Sequence, residues 1–178
     1  MRLDRRFLLA AAPALMLAAS GVNAAGDADT IIMDTTKGRV VIELFPDIAP
    51  KHAAQIKALV KEKFYDGIVF HRVIDGFMAQ TGDPTGTGTG GSKLPNIPAE
   101  FSSQHFGRGT VGMARSSSPN SANSQFFIVF GDAGFLDGKY TVVGQVKSGM
   151  ENVDKIKRGE PVVNPDKITK MRLATDPK

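Results

Sequence analysis

The stretch FHRVIDGFMAQTGD, residues 70–83, contains two runs of β-branched, aromatic and other apolar residues on either side of Asp75-Gly76. Such runs are typical of short β-strands, and an Asp-Gly pair is typical of the tight turn between strands. The stretch therefore predicts two strands joined by a turn. Arg72 lies in a run that should form a strand with one buried face, and Gln80 lies in the second run. Both are candidate functional residues, although Arg72 could instead only cap one end of the fold.

The residues before this stretch predict two more strands and a helix. Val40, Ile42 and Leu44 alternate with Val41 and Glu43 in a period of two, which indicates strands over residues 30–46 with a turn at Thr35–Gly38. Residues 47–67 follow a helical pattern, with Pro50 suited to the first helical position. The apolar face of this predicted helix comprises Ala53, Ile56, Leu59, Val60 and Phe64.

The residues after this stretch continue mainly as strand and loop. Strands are predicted over residues 109–114, 124–130, 140–146 and 167–174, and a short helix over residues 149–159. Many short strands with two helices set apart in sequence indicate a mainly β fold. The pattern is compatible with either an antiparallel barrel or a sandwich, with helices packed on its openings.

The first 24 residues have the features of a secretory signal peptide. Arg2, Arg5 and Arg6 precede an apolar run over residues 7–19, and small residues occupy positions 22–24. The run is short for a membrane anchor, and Arg5-Arg6 only partly matches a twin-arginine signal, so the export route stays open. We expect cleavage after Ala24 and a single domain over residues 25–178.

Composition excludes several classes of function. Residues 1–24 hold three arginines and one aspartate, so their removal lowers the formal charge from +4 to +2, too little to indicate nucleic-acid or membrane binding. The chain has no cysteine, which excludes disulfides, thiolate catalysis and zinc–thiolate sites. His52, His71 and His105 show no metal-ligand spacing, and His71 is interpreted as a hydrogen-bonded structural residue.

The sequence GTGTGG, residues 86–91, matches the G-x-G-x-x-G pattern of dinucleotide-binding loops. Such a loop must lead directly into a helix whose N-terminus binds the phosphates. Pro95 and Pro98 would interrupt that helix. We therefore interpret residues 81–91 as a surface loop rich in turn residues and expect no nucleotide cofactor.

Three segments together resemble the signature blocks of the cyclophilins, a family of peptidyl-prolyl cis-trans isomerases. They are residues 70–83, residues 112–128 (GMARSSSPNSANSQFFI) and residues 135–146 (FLDGKYTVVGQV). The resemblance extends over residues 30–174. It implies a closed eight-stranded antiparallel barrel capped by two α-helices, with no metal and no cofactor.

The resemblance also implies a set of site residues. Arg72 matches the catalytic arginine, and Gln80 matches the glutamine beside it. The implied substrate-binding residues are Phe77, Met78, Ala114, Arg115, Gln125, Phe127, Phe135, Leu136 and Tyr140. Three of these depart from the animal pattern: Arg115 replaces asparagine, Phe135 replaces tryptophan, and Tyr140 replaces histidine. The tryptophan replacement puts tight cyclosporin binding in doubt, whereas we expect isomerase activity to survive.

These features together predict a periplasmic, monomeric prolyl isomerase that assists the folding of exported proteins. Its partners would be proline-containing unfolded or partly folded polypeptides, with no nucleic acid and no stable membrane association after signal cleavage. The alternative is a peptide-binding chaperone or scaffold on the same fold. Arg72 and Gln80 favour the enzyme, because peptide binding alone would need only the apolar pocket.

Overall fold

The computed structural model describes residues 27–177, so the predicted signal peptide at residues 1–24 lies outside the described part. The strands and helices follow the order expected from sequence, but both helices are shorter than the predicted ranges 47–67 and 149–159. They are β1 (Thr30–Thr35), β2 (Gly38–Leu44), α1 (Pro50–Lys61), β3 (Arg72–Ile74), β4 (Met78–Thr81), β5 (Thr110–Met113), β6 (Phe126–Val129), a 3₁₀ helix (Gly134–Leu136), β7 (Val142–Ser148), α2 (Met150–Val153) and β8 (Ile168–Leu173). Within residues 27–177, no helix is long and apolar enough to cross a membrane.

The strands form one eight-stranded sheet in the order β3-β4-β6-β5-β7-β2-β1-β8. Each strand pairs with its neighbours in antiparallel fashion. Register shifts interrupt three of the ladders, in β1, β2 and β5. Irregularities of this kind bend strands and increase their twist, which lets the sheet curl around its core.

The expected closed barrel is wrong, because the sheet is an open half-barrel with β3 and β8 at its edges. One isolated bridge, between Val69 and Lys167, joins the segments that precede these two strands. The outer edge of β3 is already occupied by another segment: Gly159 bridges Val73, and the Val162 amide donates to the His71 carbonyl over 3.1 Å. A strand edge that is bonded in this way cannot also form a ladder with β8.

The main hydrophobic core fills the concave side of the sheet. Helix α1 packs there through one face, made of Ala53, Ile56, Leu59 and Val60, while Phe64 lies beyond the helix end. No side chain adjacent to the first turn caps this helix; instead the Glu100 carboxylate accepts hydrogen bonds from the Lys51 and His52 amides, both over 3.1 Å. A distant glutamate thus satisfies amide groups that the helix itself leaves unpaired.

A second apolar cluster lies on the outer face of the sheet. Its buried members are Met78, Phe106, Phe127, Val129, Ala133, Leu136 and Val142. Strands β5 and β6 are therefore buried on both faces, which explains why their sequences TVGM and FFIV lack the alternation of a half-exposed strand.

We predict that the open seam is the least protected part of the sheet. The Gly67, Phe70 and Ile168 amides bond across it, to the carbonyls of Ile168, Asp166 and Ile68. Because these few bonds and one isolated bridge join the two edges, whereas a continuous ladder joins β1 and β2, the seam amides should exchange with solvent about tenfold or more faster than the paired amides of β1 and β2. Hydrogen exchange followed by NMR measures this difference. Equal protection at the seam and in the β1–β2 ladder would contradict an open sheet.

Candidate active site

Four residues lie in one row across strands β3, β4, β6 and β5. Arg72 is directly opposite Gln80, Gln80 is opposite Phe127, and Phe127 is opposite Gly112. Residues that are directly opposite in antiparallel strands place their side chains on the same face of the sheet. The ladder register therefore brings a guanidinium, a carboxamide and an aromatic ring side by side on the outer face.

The fourth position of this row must be glycine. A Cβ atom at Gly112 would lie 2.5 Å from Cζ of Phe127 and 2.6 Å from Cε1 of Phe106. The two rings instead stack over this position with their centroids 5.9 Å apart. The absence of a side chain at Gly112 thus leaves room for the Phe127 ring, which forms part of the cavity wall.

A cavity of about 790 Å³ opens beside this row. Met78, Phe127 and Leu136 contribute buried apolar surface to it. Phe77 and Phe135 line it as an aromatic pair with ring centroids 5.2 Å apart, and Phe135 is 62% exposed. The cavity combines an apolar and aromatic lining with two cationic side chains, Arg72 and Arg115.

The wall opposite Arg72 is formed by Tyr140 and Arg115. The Tyr140 ring packs edge-on against Phe127, with the centroids 6.0 Å apart. The Arg115 guanidinium lies 4.3 Å above the Tyr140 ring and donates hydrogen bonds to the carbonyls of Lys139 and Ser116. These contacts fix two of the three residues that depart from the animal cyclophilin pattern, Arg115 and Tyr140.

A chain of hydrogen bonds connects Arg72 to the glycine-rich loop. The Gln125 Nε2 group donates to the Gly88 and Gly90 carbonyls over 3.0 and 2.8 Å. Its Oε1 atom accepts from Gln80 Nε2 over 2.9 Å, and Gln80 Oε1 accepts a longer bond of 3.5 Å from Arg72 Nη1. Because the two loop carbonyls accept only, they orient Gln125, and Gln125 in turn directs the Gln80 oxygen towards the guanidinium.

Asp83 holds the glycine-rich loop in shape. Its carboxylate accepts hydrogen bonds from the amides of Thr85, Gly88 and Gly90 and from the Thr85 hydroxyl. Burial by itself would raise the pKa of Asp83, but these hydrogen bonds outweigh it and lower the pKa to about 2. No helix directly follows Gly91, as expected from Pro95 and Pro98.

The structure places ten of the eleven predicted site residues around this cavity. They are Arg72, Phe77, Met78, Gln80, Ala114, Arg115, Phe127, Phe135, Leu136 and Tyr140. Gln125 lies behind Gln80 and lines an adjacent cleft. Their assignment as catalytic or substrate-binding residues stays a prediction.

Five further residues line the cavity that sequence reasoning did not assign to it: His71, Thr87, Gly88, Glu160 and Pro161. Thr87 and Gly88 belong to the loop that was interpreted as a plain surface loop. Glu160 and Pro161 follow the predicted helix at residues 149–159, and no motif in the sequence marks them. Glu160 and Pro161 reach the cavity because Gly159 pairs with Val73 of β3, a long-range contact that the sequence does not indicate.

His71 is buried, as expected, but the hydrogen bonds expected for it are absent. Neither of its ring nitrogens has a hydrogen-bond partner among residues 27–177. Burial lowers the pKa of His71; Arg72 lowers it further and Asp83 opposes both effects. The ring is thus a neutral part of the cavity wall near neutral pH. In the described part of the chain, no three His, Cys, Asp or Glu side chains group together as metal ligands.

We predict that Asp83→Asn lowers the free energy of unfolding by about 2 kcal/mol near pH 6, because a carboxamide presents one acceptor atom to four donors. The pKa of Asp83 lies below its usual value of 3.8, so its stabilisation is complete above about pH 4 and declines as the pH falls towards 2. Urea unfolding of both proteins at pH 6 and pH 2.5 measures the difference.

The matched control is Asp47→Asn, at an exposed aspartate before α1, which should leave stability unchanged at both pH values. A difference between wild type and Asp83→Asn that stays constant down to pH 2.5 would contradict the role given to the carboxylate.

Known proteins resemble this chain in sequence and in fold. The family model described as cyclophilin type peptidyl-prolyl cis-trans isomerase/CLD matches residues 30–173. A probable peptidyl-prolyl cis-trans isomerase of Brucella suis is 54% identical over 192 aligned positions, which cover 97% of this chain and 98% of the relative.

Two solved structures show the same fold. A cyclophilin from Hirschia baltica superposes with a TM-score of 0.79 at 30% identity, covering 85% of this chain and 76% of the other. A cyclophilin type isomerase of Cryptosporidium parvum, crystallised in the presence of the dipeptide Ala-Pro, gives a TM-score of 0.76 at 29% identity, covering 83% and 99%. The chain belongs to the cyclophilin-type peptidyl-prolyl cis-trans isomerase family.

Proposed function

We propose that this isomerase binds X-Pro segments of unfolded or partly folded polypeptides in the cavity beside Arg72, and that it assists the folding of exported proteins. The observation that carries the site assignment is the row of Arg72, Gln80 and Phe127, which sets a guanidinium at the edge of an apolar cavity. The Ala-Pro dipeptide present with the Cryptosporidium parvum relative supports the substrate class.

The reaction requires rotation about an amide bond and no bond cleavage. Amide resonance creates a barrier of roughly 18–20 kcal/mol, and unassisted X-Pro exchange takes tens to hundreds of seconds. As the amide twists, electron density returns to the proline nitrogen. A guanidinium beside this nitrogen donates to it more strongly in the twisted state than in the planar one. An interaction that strengthens in this way lowers the barrier.

Arginine suits this role better than lysine. Its guanidinium stays charged and presents several N–H donors in a fixed plane. In this chain the plane is held through Gln80 and Gln125, so the donors need little reorganisation when the substrate arrives. A thousandfold acceleration corresponds to about 4 kcal/mol of barrier lowering. A few such contacts are sufficient.

The apolar cavity serves binding and catalysis together. Met78, Phe127 and Leu136 offer a surface on which a proline ring can be buried. The same surroundings favour a twisted amide, since it is less dipolar than the planar form and loses less by leaving water. The exposed Phe135 ring next to Phe77 offers a further apolar contact for the residues that flank the proline.

We predict that Arg72→Ala lowers kcat/KM for an X-Pro peptide about a hundredfold or more while the fold is retained, because the side chain is partly exposed and lies outside both apolar clusters. A protease-coupled isomerisation assay measures the rate, and chemical denaturation checks the fold. Arg39→Ala is the matched control, since Arg39 is also ion-paired at the surface, with Asp34, and lies outside the cavity.

Each result of this assay has a distinct meaning. Full activity in a folded Arg72→Ala protein would keep the isomerase and overturn the role of Arg72. A folded wild-type protein that binds X-Pro peptides without accelerating their exchange would favour the peptide-binding chaperone instead.

We propose that the protein acts in the periplasm as a monomer after removal of residues 1–24, whose basic start and short apolar run support export. We predict that the mature protein, expressed from the full sequence in a Gram-negative host, starts at Ala25 and is released with the periplasmic fraction. Cell fractionation and N-terminal sequencing measure both. An intact N-terminus in the cytoplasmic fraction would contradict the proposal.

A further inference from the structure

The segment of residues 159–162 lies along the outer edge of β3, next to Arg72. Gly159 and Val73 exchange two backbone hydrogen bonds of 2.8 Å each, and the Val162 amide donates to the His71 carbonyl over 3.1 Å. The segment is thus bonded to His71 and Val73, the two residues that flank Arg72 in the sequence. Glu160 and Pro161 are thereby fixed at the cavity, which they line.

Glu160 contacts Arg72 directly. Its Oε1 atom accepts a hydrogen bond of 2.5 Å from the Arg72 Nε–H group. The pair is partly open to solvent, with side-chain exposures of 39% for Arg72 and 56% for Glu160. Because water screens the carboxylate, the contact contributes little to overall stability, and its main consequence is geometric.

The guanidinium is therefore held from two sides. A guanidinium carries one Nε–H group and two hydrogens on each terminal nitrogen. Glu160 occupies the Nε–H group, and Gln80 accepts from Nη1. Both hydrogens of Nη2 and one of Nη1 have no partner in the described part of the chain. These are the donors that remain for a peptide in the cavity.

We propose that Glu160 is a positioning residue for the isomerase: it fixes the Nε side of Arg72 so that the free terminal N–H groups are directed at the X-Pro amide. This inference rests on the proposed function of Arg72. The anchored backbone of residues 159–162 favours positioning over competition with substrate, since a competing side chain would need to withdraw from the guanidinium at every turnover.

Kinetics of four variants test this role. Glu160→Ala should lower kcat/KM about tenfold, mainly through kcat, because a freed guanidinium samples unproductive orientations. Glu160→Gln keeps an acceptor oxygen for Nε–H and should stay within about threefold of wild type. Glu151→Ala removes the same charge from an exposed position outside the cavity and should leave the rate unchanged. Arg72→Ala combined with Glu160→Ala should be no slower than Arg72→Ala alone.

Three results would overturn the proposal. They are a Glu160→Ala protein as fast as wild type or faster, a Glu160→Gln protein as slow as Glu160→Ala, and a further loss when Glu160→Ala is added to Arg72→Ala. A faster Glu160→Ala protein would show that the carboxylate competes with substrate.

A spectroscopic readout keeps the test independent of turnover and of the proposed function. The Arg72 Nε–H resonance in NMR spectra should be shifted and protected from exchange in wild type and Glu160→Gln, and should lose both features in Glu160→Ala. An unchanged resonance in Glu160→Ala would overturn the positioning role. If the wild-type protein failed to accelerate X-Pro exchange, the proposed function would fail, while this resonance would still report whether Glu160 holds Arg72.

Discussion

The register of strands β3, β4, β6 and β5 is the constraint on which the candidate site depends. It aligns Arg72, Gln80, Phe127 and Gly112 in one row on the outer face of the sheet. Because side chains alternate between faces, a slip of one residue in any of these ladders would move a side chain of the row from the outer face to the core face of the sheet. Burial on both faces of β5 and β6 makes such a slip costly, since apolar residues would then lack a matching surface.

Two loops that are distant in sequence complete the surroundings of Arg72. The glycine-rich loop, shaped by Asp83, presents the Gly88 and Gly90 carbonyls that orient Gln125 and, through it, Gln80. Residues 159–162 approach from the opposite side and bring Glu160 to the Nε–H group. The bonds that anchor this second segment also occupy the edge of β3, so the opening of the sheet and the placement of Glu160 have one structural cause.

Much of this arrangement could be predicted from the sequence, because it depends on local signals. Period-two alternation located β2, Pro50 located the start of α1, and Asp75-Gly76 located the turn that sets Arg72 opposite Gln80. The signature blocks indicated the residues that surround the cavity. A motif match alone, G-x-G-x-x-G, would have indicated a nucleotide, and the prolines that follow it argue against the helix that such a site needs.

The remainder depends on contacts between segments that are far apart in sequence. The sequence near Pro50 does not indicate that Glu100 caps α1. The sequence near Glu160 does not indicate its hydrogen bond to Arg72. The closed barrel is likewise an implication of the family resemblance. In the structure, the outer edge of β3 is bonded to residues 159–162 and not to β8. Such long-range pairings leave no periodic trace in either segment.

A crystal structure of residues 25–178 with a bound X-Pro peptide tests the central claim most directly, because it locates the reacting bond. The account predicts that the proline ring lies against Met78, Phe127 and Leu136, and that a terminal nitrogen of Arg72 lies within hydrogen-bonding distance of the proline amide. A peptide bound with its proline outside this cavity, or with Arg72 turned away from the amide, would contradict it.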